Sequence, residues 1–452
     1  MTWNLLSCKI VAFQCYYVNT KRKNCEKDAE TVRFSPLAGT ERAFFEGRRE
    51  ELRAGYEAGV QGLVAAWEAS SCTVAALGRK RFKDVRLATF FGTVVLRCRE
   101  GVGEDGRWTC PALAHLGLRP NQRYSPDMER RMAVLAAETG SYEKAAGVAD
   151  AAAWLTASDG AMHSTVMRLG ATAEATPPEG PCAGAAGPED TLVIMADGWN
   201  ARHRGVNWSL DKKNRELPDR VHWHEIRSAV LFKLSALLAV SGKRKALLEK
   251  HVAAVPADTS PYDFGVLLHR EAVRMGLLRA KTVFFVMDGG VWLWHIYADR
   301  FEKCSKAMLD FYHLSQHLHT LAAALHGTGT AKAQAWCGKI LHDLKHKSPG
   351  LLFKTLDELL REPPSGDPAV LETIREQNAY FRNHAGHMDY AANAALGVPI
   401  GSGSVESLCS QFQNRLKRTG QFWTKEGFAA LLRIIVQNWN GELDSLWQTI
   451  AA

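Results

Sequence analysis

The sequence predicts an α/β fold in which a mixed sheet is interrupted by a block of helices and then completed by one more helix. Two apolar, β-branched segments, T-L-V-I-M-A and T-V-F-F-V-M, predict buried strands at 191–196 and 282–287, and each runs into Asp-Gly. Residues 301–390 carry mostly helical patterns. The turn I-G-S-G-S then starts a further helix, because small polar residues favour helix N-termini.

Weaker patterns predict the elements around these strands. Segments at 205–208 and 221–240 suit the neighbouring strands of a meander, whereas 245–255 and 262–278 have helical spacing. A mixed sheet of this kind, with a helical block before its last helix, fits an RNase H-like core that contains an all-α insertion.

Composition shifts divide the chain into six parts. The clearest boundary is a segment rich in Pro, Gly and Ala before the first predicted strand. Ser125-Pro126 predicts the start of three short helices, which suit either a helix-turn-helix-like DNA-binding region or a plain packing unit. The predicted parts are a disordered extension (1–35), a helix plus a small β unit (36–123), the three-helix region (124–170), the linker (171–190), the RNase H-like catalytic domain (191–300 and 396–452) and the helical insertion (301–395).

Length, charge and cysteine content narrow the class of protein. A chain of 452 residues is expected to form two or three domains, and a net charge of +8 mildly favours an acidic partner. The ten cysteines include no C-x-x-C pair, which predicts reduced thiols; Cys98 and Cys110 flank a Gly-rich loop and are at most half of a metal site. No apolar stretch reaches the roughly 18–20 residues that span a membrane. These features predict a cytoplasmic protein.

Three acidic residues lie at the ends of predicted strands or at the start of a predicted helix, where they could together bind metal ions. Asp197 and Asp288 follow the two predicted strands, and Glu406 lies early in the helix that the Gly/Ser turn starts. Two Mg²⁺ or Mn²⁺ ions about 3.5–4 Å apart, held by such acids, stabilise both oxygens of a phosphodiester displacement. We assign Asp197 as the bridge between the ions, Asp288 to one ion and Glu406 to the other. Taken singly, each acid also suits an ordinary turn or a helix N-terminus.

The end of the Glu406 helix carries cations and an aromatic pair. Arg415, Lys417 and Arg418 are candidate contacts to DNA phosphates, or else a solvated helix end stabilised by the helix dipole. Trp423, with Phe422 beside it, is a candidate for stacking on bases, or else packs the next helix.

Four longer motifs resemble the ISKra-type insertion-sequence transposases, which belong to the DDE class. They are V-M-D-G-G-V-W-L-W-H-I, M-L-D-F-Y-H-L-S-Q-H-L, Y-F-R-N-H-A-G-H-M-D-Y and V-P-I-G-S-G-S-V-E-S-L-C-S-Q-F-Q-N-R-L-K-R-T-G-Q-F-W, in matching order over residues 190–452. The resemblance implies an RNase H-like catalytic domain, dependence on Mg²⁺, and the acids Asp197, Asp288 and Glu406. Asp211 and Asp219 are alternatives for the first acid.

The second motif also resembles a D-x-x-H step found in Mutator-like and hAT transposases. Asp310, His313 and His317 are spaced to share one helix face, where they would support the active site, orient DNA or bind zinc. A polar helix face with packed histidines explains the same spacing.

The leading prediction is therefore a transposase that cuts transposon ends and joins them to target DNA. The resemblance implies recognition of terminal inverted repeats, a homodimer or larger assembly on DNA, and a bacterial protein associated with the nucleoid when bound. The alternatives are a transposase-derived DNA-binding protein without activity, an RNase H-like nuclease that never joins, and a zinc hydrolase that uses the histidines.

Overall fold

The computed structural model describes residues 36–152, 156–208, 220–241 and 244–446. The predicted extension at 1–35 lies outside these residues, as do Asp211 and Asp219. No helix within the described residues combines the length and apolar character that a membrane crossing requires.

The amino-terminal region consists of a long helix packed on a small sheet, as predicted. Its elements are α1 (Pro36–Ser70), α2 (Cys72–Ala75), β1 (Gly78–Thr89), β2 (Gly92–Val102), β3 (Trp108–Thr109) and α3 (Pro111–His115). Side chains of α1 bond the backbone of β2: Gln61 pairs with both the amide and the carbonyl of Arg97, at 2.8 and 3.0 Å, and Glu68 accepts from the amide of Arg99 at 2.6 Å. The long, highly charged helix therefore uses several of its polar side chains to hold a strand.

Three helices follow at the predicted positions. They are α4 (Pro126–Thr139), α5 (Tyr142–Ala152) and α6 (Asp159–Ala175). Ser125 caps α4 by accepting from the amide of Met128, and Pro126 takes the first helical position. Gly170 of α6 lies so close to the last helix, α15 (Lys425–Trp439), that a Cβ there would stand 2.5 Å from the Cα of Ala430. These helices thus share a core with the carboxy-terminal part of the chain, and their role in reading DNA stays a prediction.

The central sheet has five strands of mixed direction, which confirms the predicted α/β class. Its strands are β4 (Thr191–Arg204), β5 (Val221–Lys233), β8 (His251–Ala254), β9 (Thr282–Met287) and β10 (Lys306–Leu309), in the order β10-β9-β4-β5-β8. The pairs β4–β5 and β5–β8 are antiparallel, whereas β4–β9 and β9–β10 are parallel. A separate hairpin is formed by β6 (Leu237–Ser241) and β7 (Arg244–Leu247).

Three local predictions are wrong at this sheet. β4 does not end at residue 196 but continues to Arg204, because Trp199 and Ala201 remain buried beyond the Asp-Gly pair. Residues 205–208 form a turn instead of a strand, and 245–255 contains β7 and β8 instead of a helix. The predicted helical insertion opens with β10. Both β8 and β10 are four-residue strands whose backbone bonds come from distant partners, so their local patterns carry little signal.

Helices cover both faces of the sheet. One face packs against α7 (Pro261–Arg274) and α8 (Val291–Ile296), where Ile194 and Ala196 share a core with Phe264 and Leu268. The other face packs against α15 and the helix that carries Glu406, α14 (Gly403–Leu416). Between β10 and α14 lies the helical block, formed by α9 (Phe311–His326), α10 (Ala331–His346), α11 (Gly350–Arg361), α12 (Pro368–Asn383) and α13 (Tyr390–Ala395).

Candidate active site

Asp197 is half-buried on the sheet face that carries α14. Its Oδ1 accepts from the amide of Gly198 at 2.7 Å. Burial raises the pKa of Asp197 to about 6; the Gly198 hydrogen bond opposes the shift, and the charges of Asp288, Glu406 and Glu225 add to it. Both other predicted acids therefore lie close enough to Asp197 to interact with its charge, although they come from distant parts of the chain.

Asp288 reaches this site because β4 and β9 run in parallel. Their register pairs Met195 with Val286, and Asp197 and Asp288 each lie two residues beyond this last pair, toward the same edge of the sheet. Oδ1 of Asp288 accepts from the amide of Gly290 at 2.8 Å, which leaves its second oxygen for another partner.

Glu406 reaches the site because α14 lies along β4. Phe412 of α14 stacks on Trp199 with ring centroids 5.7 Å apart, and Sγ of Cys409 lies 3.9 Å from Oδ2 of Asp197. The hydroxyl of Ser402 donates to Oε1 of Glu406 at 2.9 Å instead of capping the helix backbone. This hydrogen bond restrains an otherwise exposed carboxylate whose charge acts on Asp197.

Asp310 joins the strand ends to the Gly/Ser turn. It is 1% exposed and caps α9, with Oδ1 accepting from the amide of His313 at 2.7 Å. Oδ2 accepts from the amide of Ser402, and the amide of Asp310 donates to the carbonyl of Met287 at 2.7 Å. Because Ser402 holds Glu406 and Met287 precedes Asp288, Asp310 supports the geometry of both acids. The prediction that it shares one helix face with the histidines is wrong, since it precedes the helix as its cap.

The two predicted histidines lie on α9 and pack inside the helical block, where His317 contacts α12. His313 and His317 have ring centroids 5.1 Å apart, and His317 stacks on Tyr380 of α12 at 3.7 Å. Nδ1 of His317 lies 2.8 Å from Oε1 of Gln377. These contacts fit the alternative of packed histidines on a polar helix face.

The three acids supply carboxylate oxygens, the hard donors that divalent cations such as Mg²⁺ and Mn²⁺ prefer. Within the described residues, the one trio of His, Cys, Asp or Glu ligand atoms lying within 4.8 Å of one another is found elsewhere, so the acids do not converge on a single-ion site. Carboxylate oxygens bound to different members of an ion pair can lie up to about 8 Å apart. None of the three acids forms an ion pair with a basic side chain among the described residues, so bound cations would offset their mutual repulsion.

The trio that does converge is Cys182, His251 and Glu271, at the junction of the predicted linker with the sheet. Nε2 of His251 lies 3.7 Å from Sγ of Cys182 and 2.8 Å from Oε2 of Glu271. Glu271 also accepts from Arg274 at 2.6 Å and from Arg270 at 2.8 Å. Burial would raise the pKa of Glu271, but these donors outweigh it and lower the pKa to about 2. With both its oxygens bonded to arginine side chains, Glu271 anchors a hydrogen-bonded network that also holds His251.

Sequence reasoning missed a fourth acid near the site. Glu225 of β5 adds its negative charge to Asp197 and lies over Gly198, where a Cβ would stand 2.6 Å from its Oε1. It pairs with Arg227 at 2.9 Å. A single acid in an alternating strand carries no signal that sets it apart, so only the pairing of β4 with β5 identifies it.

Trp423 is buried, which fits the alternative that it packs the next helix and not the one in which it stacks on bases. Its side chain is 9% exposed, and its indole N–H donates to the carbonyl of Leu416 at 2.8 Å. Backbone bonds join Trp423 to Arg202 and Arg204 at the end of β4, which draws the ring into the core against Phe428.

The three predicted DNA-binding cations differ in the contacts that their side chains make within the protein. Arg415 pairs with Glu138 of α4 at 3.0 Å and is tied to the three-helix region. Arg418 bonds the carbonyl of Asn414 through its guanidinium. Lys417 instead lies 5.0 Å from the ring centroid of Trp223.

Lys417 belongs to a basic and aromatic surface at the end of β4, here defined by Arg202, Lys417, Trp223 and Phe422. Trp223 is 57% exposed, and Arg202 lies 5.7 Å from its ring centroid and 4.9 Å from that of Phe422. Sequence reasoning missed Arg202 and Trp223, because they meet Lys417 only through the antiparallel pairing of β4 with β5 and the packing of α14.

Comparison with known proteins yields distant structural likenesses, among them the two that follow. No protein-family model and no curated protein matches this sequence. The Drosophila P element transposase strand transfer complex shares 14% identity over 75% of this chain and 82% of that chain, with a TM-score of 0.27. The structure of NurA with manganese shares 13% identity over 60% of this chain and 58% of that chain, with a TM-score of 0.10. Likenesses this weak carry no argument about fold or activity, so the proposals below rest on the geometry of the acids.

Proposed function

We propose that this protein is a DDE transposase that cuts and joins DNA phosphodiesters with the help of Mg²⁺ or Mn²⁺. The observation that carries the proposal is the electrostatic coupling of Asp197 to both Asp288 and Glu406. Acids from two strands and a helix, without basic partners among the described residues, form a concentrated set of hard oxygen donors. Such a set is costly to assemble unless cations bind to it.

The proposed roles follow from where each acid stands. Asp197, central among the acids, would bridge two ion positions, whereas Asp288 would complete one and Glu406 the other. When bound, the ions supply Lewis-acid stabilisation of the attacking and leaving oxygens. The protein orients the donors: the Gly198 amide holds Asp197, the Gly290 amide holds Asp288, and Ser402 holds Glu406.

The proposed reaction has two displacements at phosphorus. Water attacks at a transposon end, the P–O3′ bond breaks and a 3′-hydroxyl is released. That hydroxyl then attacks a phosphorus in target DNA and displaces the 3′ oxygen of the target strand. An RNase H-like core is the proposed scaffold, and the mixed strand order with a closing helix, α14, supports it.

The proposed partner is DNA, as terminal inverted repeats and as target. The surface of Arg202, Lys417, Trp223 and Phe422 suits a nucleic acid, because the Lys417 ammonium group can bind phosphates and the exposed ring of Trp223 can stack on bases. The guanidinium of Arg202 donates to the carbonyl of Arg418 and supports this surface from within. Both β4 and α14 run from an acid of the site to this surface. The three-helix region is proposed as a second DNA contact, and a homodimer on DNA as the active assembly.

The test is the Glu406→Gln variant, assayed with labelled oligonucleotides that carry the DNA ends flanking the gene. We expect cleavage to fall at least about 100-fold while DNA binding stays within about twofold, because a metal ligand is lost without loss of the basic surface. Glu426→Gln is the matched control, since Glu426 is also an exposed acid in the first turn of a helix.

Full cleavage by Glu406→Gln would remove Glu406 from the site. A strand-transfer assay with the same oligonucleotides separates transposase from nuclease, because the nuclease alternative yields cut but unjoined products. Absence of cleavage by the wild-type protein with either ion would favour the inactive DNA-binding alternative.

A further inference from the structure

One tyrosine of the helical block, Tyr380, lies at the edge of the candidate active site. Tyr380 of α12 packs against the backbone that follows Asp288: a Cβ at Gly289 would stand 2.7 Å from Cε2 of Tyr380 and 2.9 Å from its hydroxyl. The charges of Asp288 and Asp310 both act on this hydroxyl. Gly289 therefore leaves the room that the tyrosine needs, and no larger residue fits there without displacing it.

The ring of Tyr380 is held on two sides. It stacks on His317 with centroids 3.7 Å apart and planes 11° apart, and it meets the edge of His384 at 4.9 Å. His317 is itself restrained by Gln377, which lies on the same helix as Tyr380. Packing thus holds the ring of Tyr380 against the backbone that follows Asp288, so the hydroxyl does not swing freely.

The hydroxyl is buried, yet it has no hydrogen-bond partner among the described residues. A buried hydroxyl without a hydrogen-bond partner destabilises the folded protein, so its place next to the proposed site suggests a partner in another state of the site. A tyrosine hydroxyl is ordinarily protonated at neutral pH, so it can donate a hydrogen bond to a carboxylate.

We propose that Tyr380 is a positioning residue, whose hydroxyl donates to the carboxylate of Asp288 when that carboxylate holds a divalent ion. This inference rests on the proposed function, because it presupposes an ion at Asp288. Ligating carboxylates are commonly hydrogen-bonded by a second set of side chains, which fix their orientation. Oδ1 of Asp288 already accepts a hydrogen bond from the Gly290 amide. The hydroxyl of Tyr380, on α12, would supply a second hydrogen bond to the same carboxylate. The helical block thereby contributes directly to ion affinity.

The test compares Mn²⁺ binding by wild type, Asp288→Asn, Tyr380→Phe and Tyr142→Phe, measured by calorimetric titration of the full chain. Tyr380→Phe keeps the stacked ring and removes only the hydroxyl, so we expect about 10–100-fold weaker Mn²⁺ binding. Tyr142→Phe is the matched control, because its hydroxyl is also buried without a partner but lies beside Trp423, away from the acids. We expect that variant to bind Mn²⁺ like the wild type.

The possible results separate this inference from the proposed function. Mn²⁺ binding that is lost in Asp288→Asn but unchanged in Tyr380→Phe would overturn the role of Tyr380 and leave the metal site standing. Equal weakening by Tyr380→Phe and Tyr142→Phe would also overturn it, since the effect would then be general. A wild-type protein that binds no Mn²⁺ would overturn both proposals.

Discussion

Asp197→Asn should make the folded protein more stable at neutral pH while it abolishes cleavage. The wild-type carboxyl has an ordinary pKa of 3.8, and in the folded protein burial raises it to about 6. A raised folded pKa means that stability is greatest below the unfolded pKa and falls as pH rises through the folded pKa. The ionised carboxylate is therefore a cost to the folded state, which an uncharged asparagine removes.

The size of the effect follows from the two pKa values. With a pKa of 3.8 in the unfolded chain and about 6 in the folded protein, ionisation of Asp197 destabilises the folded state. The loss of stability is about 3 kcal/mol at about pH 7.5 and about 1 kcal/mol at about pH 4.5. The free energy of unfolding of Asp197→Asn, relative to wild type, should thus rise by about 2 kcal/mol between these pH values. Comparing the variant with wild type at each pH cancels most effects of replacing one side chain by another.

Urea unfolding followed by tryptophan fluorescence at the two pH values measures this difference. Adding Mg²⁺ near neutral pH should stabilise the wild-type protein and leave Asp197→Asn nearly unchanged, because the ion offsets a charge that the variant lacks. Glu426→Gln, which replaces an exposed acid, serves as the control. A variant whose relative stability does not change with pH would refute the reasoning about burial and mutual repulsion at Asp197.

Two further predictions concern side chains whose roles the structure redefines. Asp310→Ala should lower the free energy of unfolding by about 3 kcal/mol, because the buried amides of His313 and Ser402 lose their acceptor; a loss below about 1 kcal/mol in urea unfolding would contradict this. Trp423→Ala should cost about 3–5 kcal/mol of stability, whereas Trp223→Ala should change stability by less than about 0.5 kcal/mol and weaken DNA binding about 5–100-fold in fluorescence anisotropy. The reverse pattern would restore Trp423 as the base-stacking residue.

Elements with strong local signals could be predicted from the sequence. The strand β9 is a continuous apolar run, and α4 begins at a serine cap followed by proline, as predicted. The three candidate acids could also be named, because each follows an apolar run or a Gly/Ser turn. Their place in one site needed the structure, since the parallel register of β4 with β9 and the packing of α14 on β4 are non-local.

By itself, then, the sequence determined the α/β class, the long helices and the candidate acids, because hydrophobic periodicity and capping residues act over a few neighbours. Only the tertiary structure decided that β4 passes through Asp197, that 251–254 and 306–309 are strands, and that Trp423 is buried. The reason is physical: short strands gain their hydrogen bonds, and an aromatic ring its burial, from partners far away in the chain. The approach of Tyr380 to Asp288 depends in the same way on packing between separate elements.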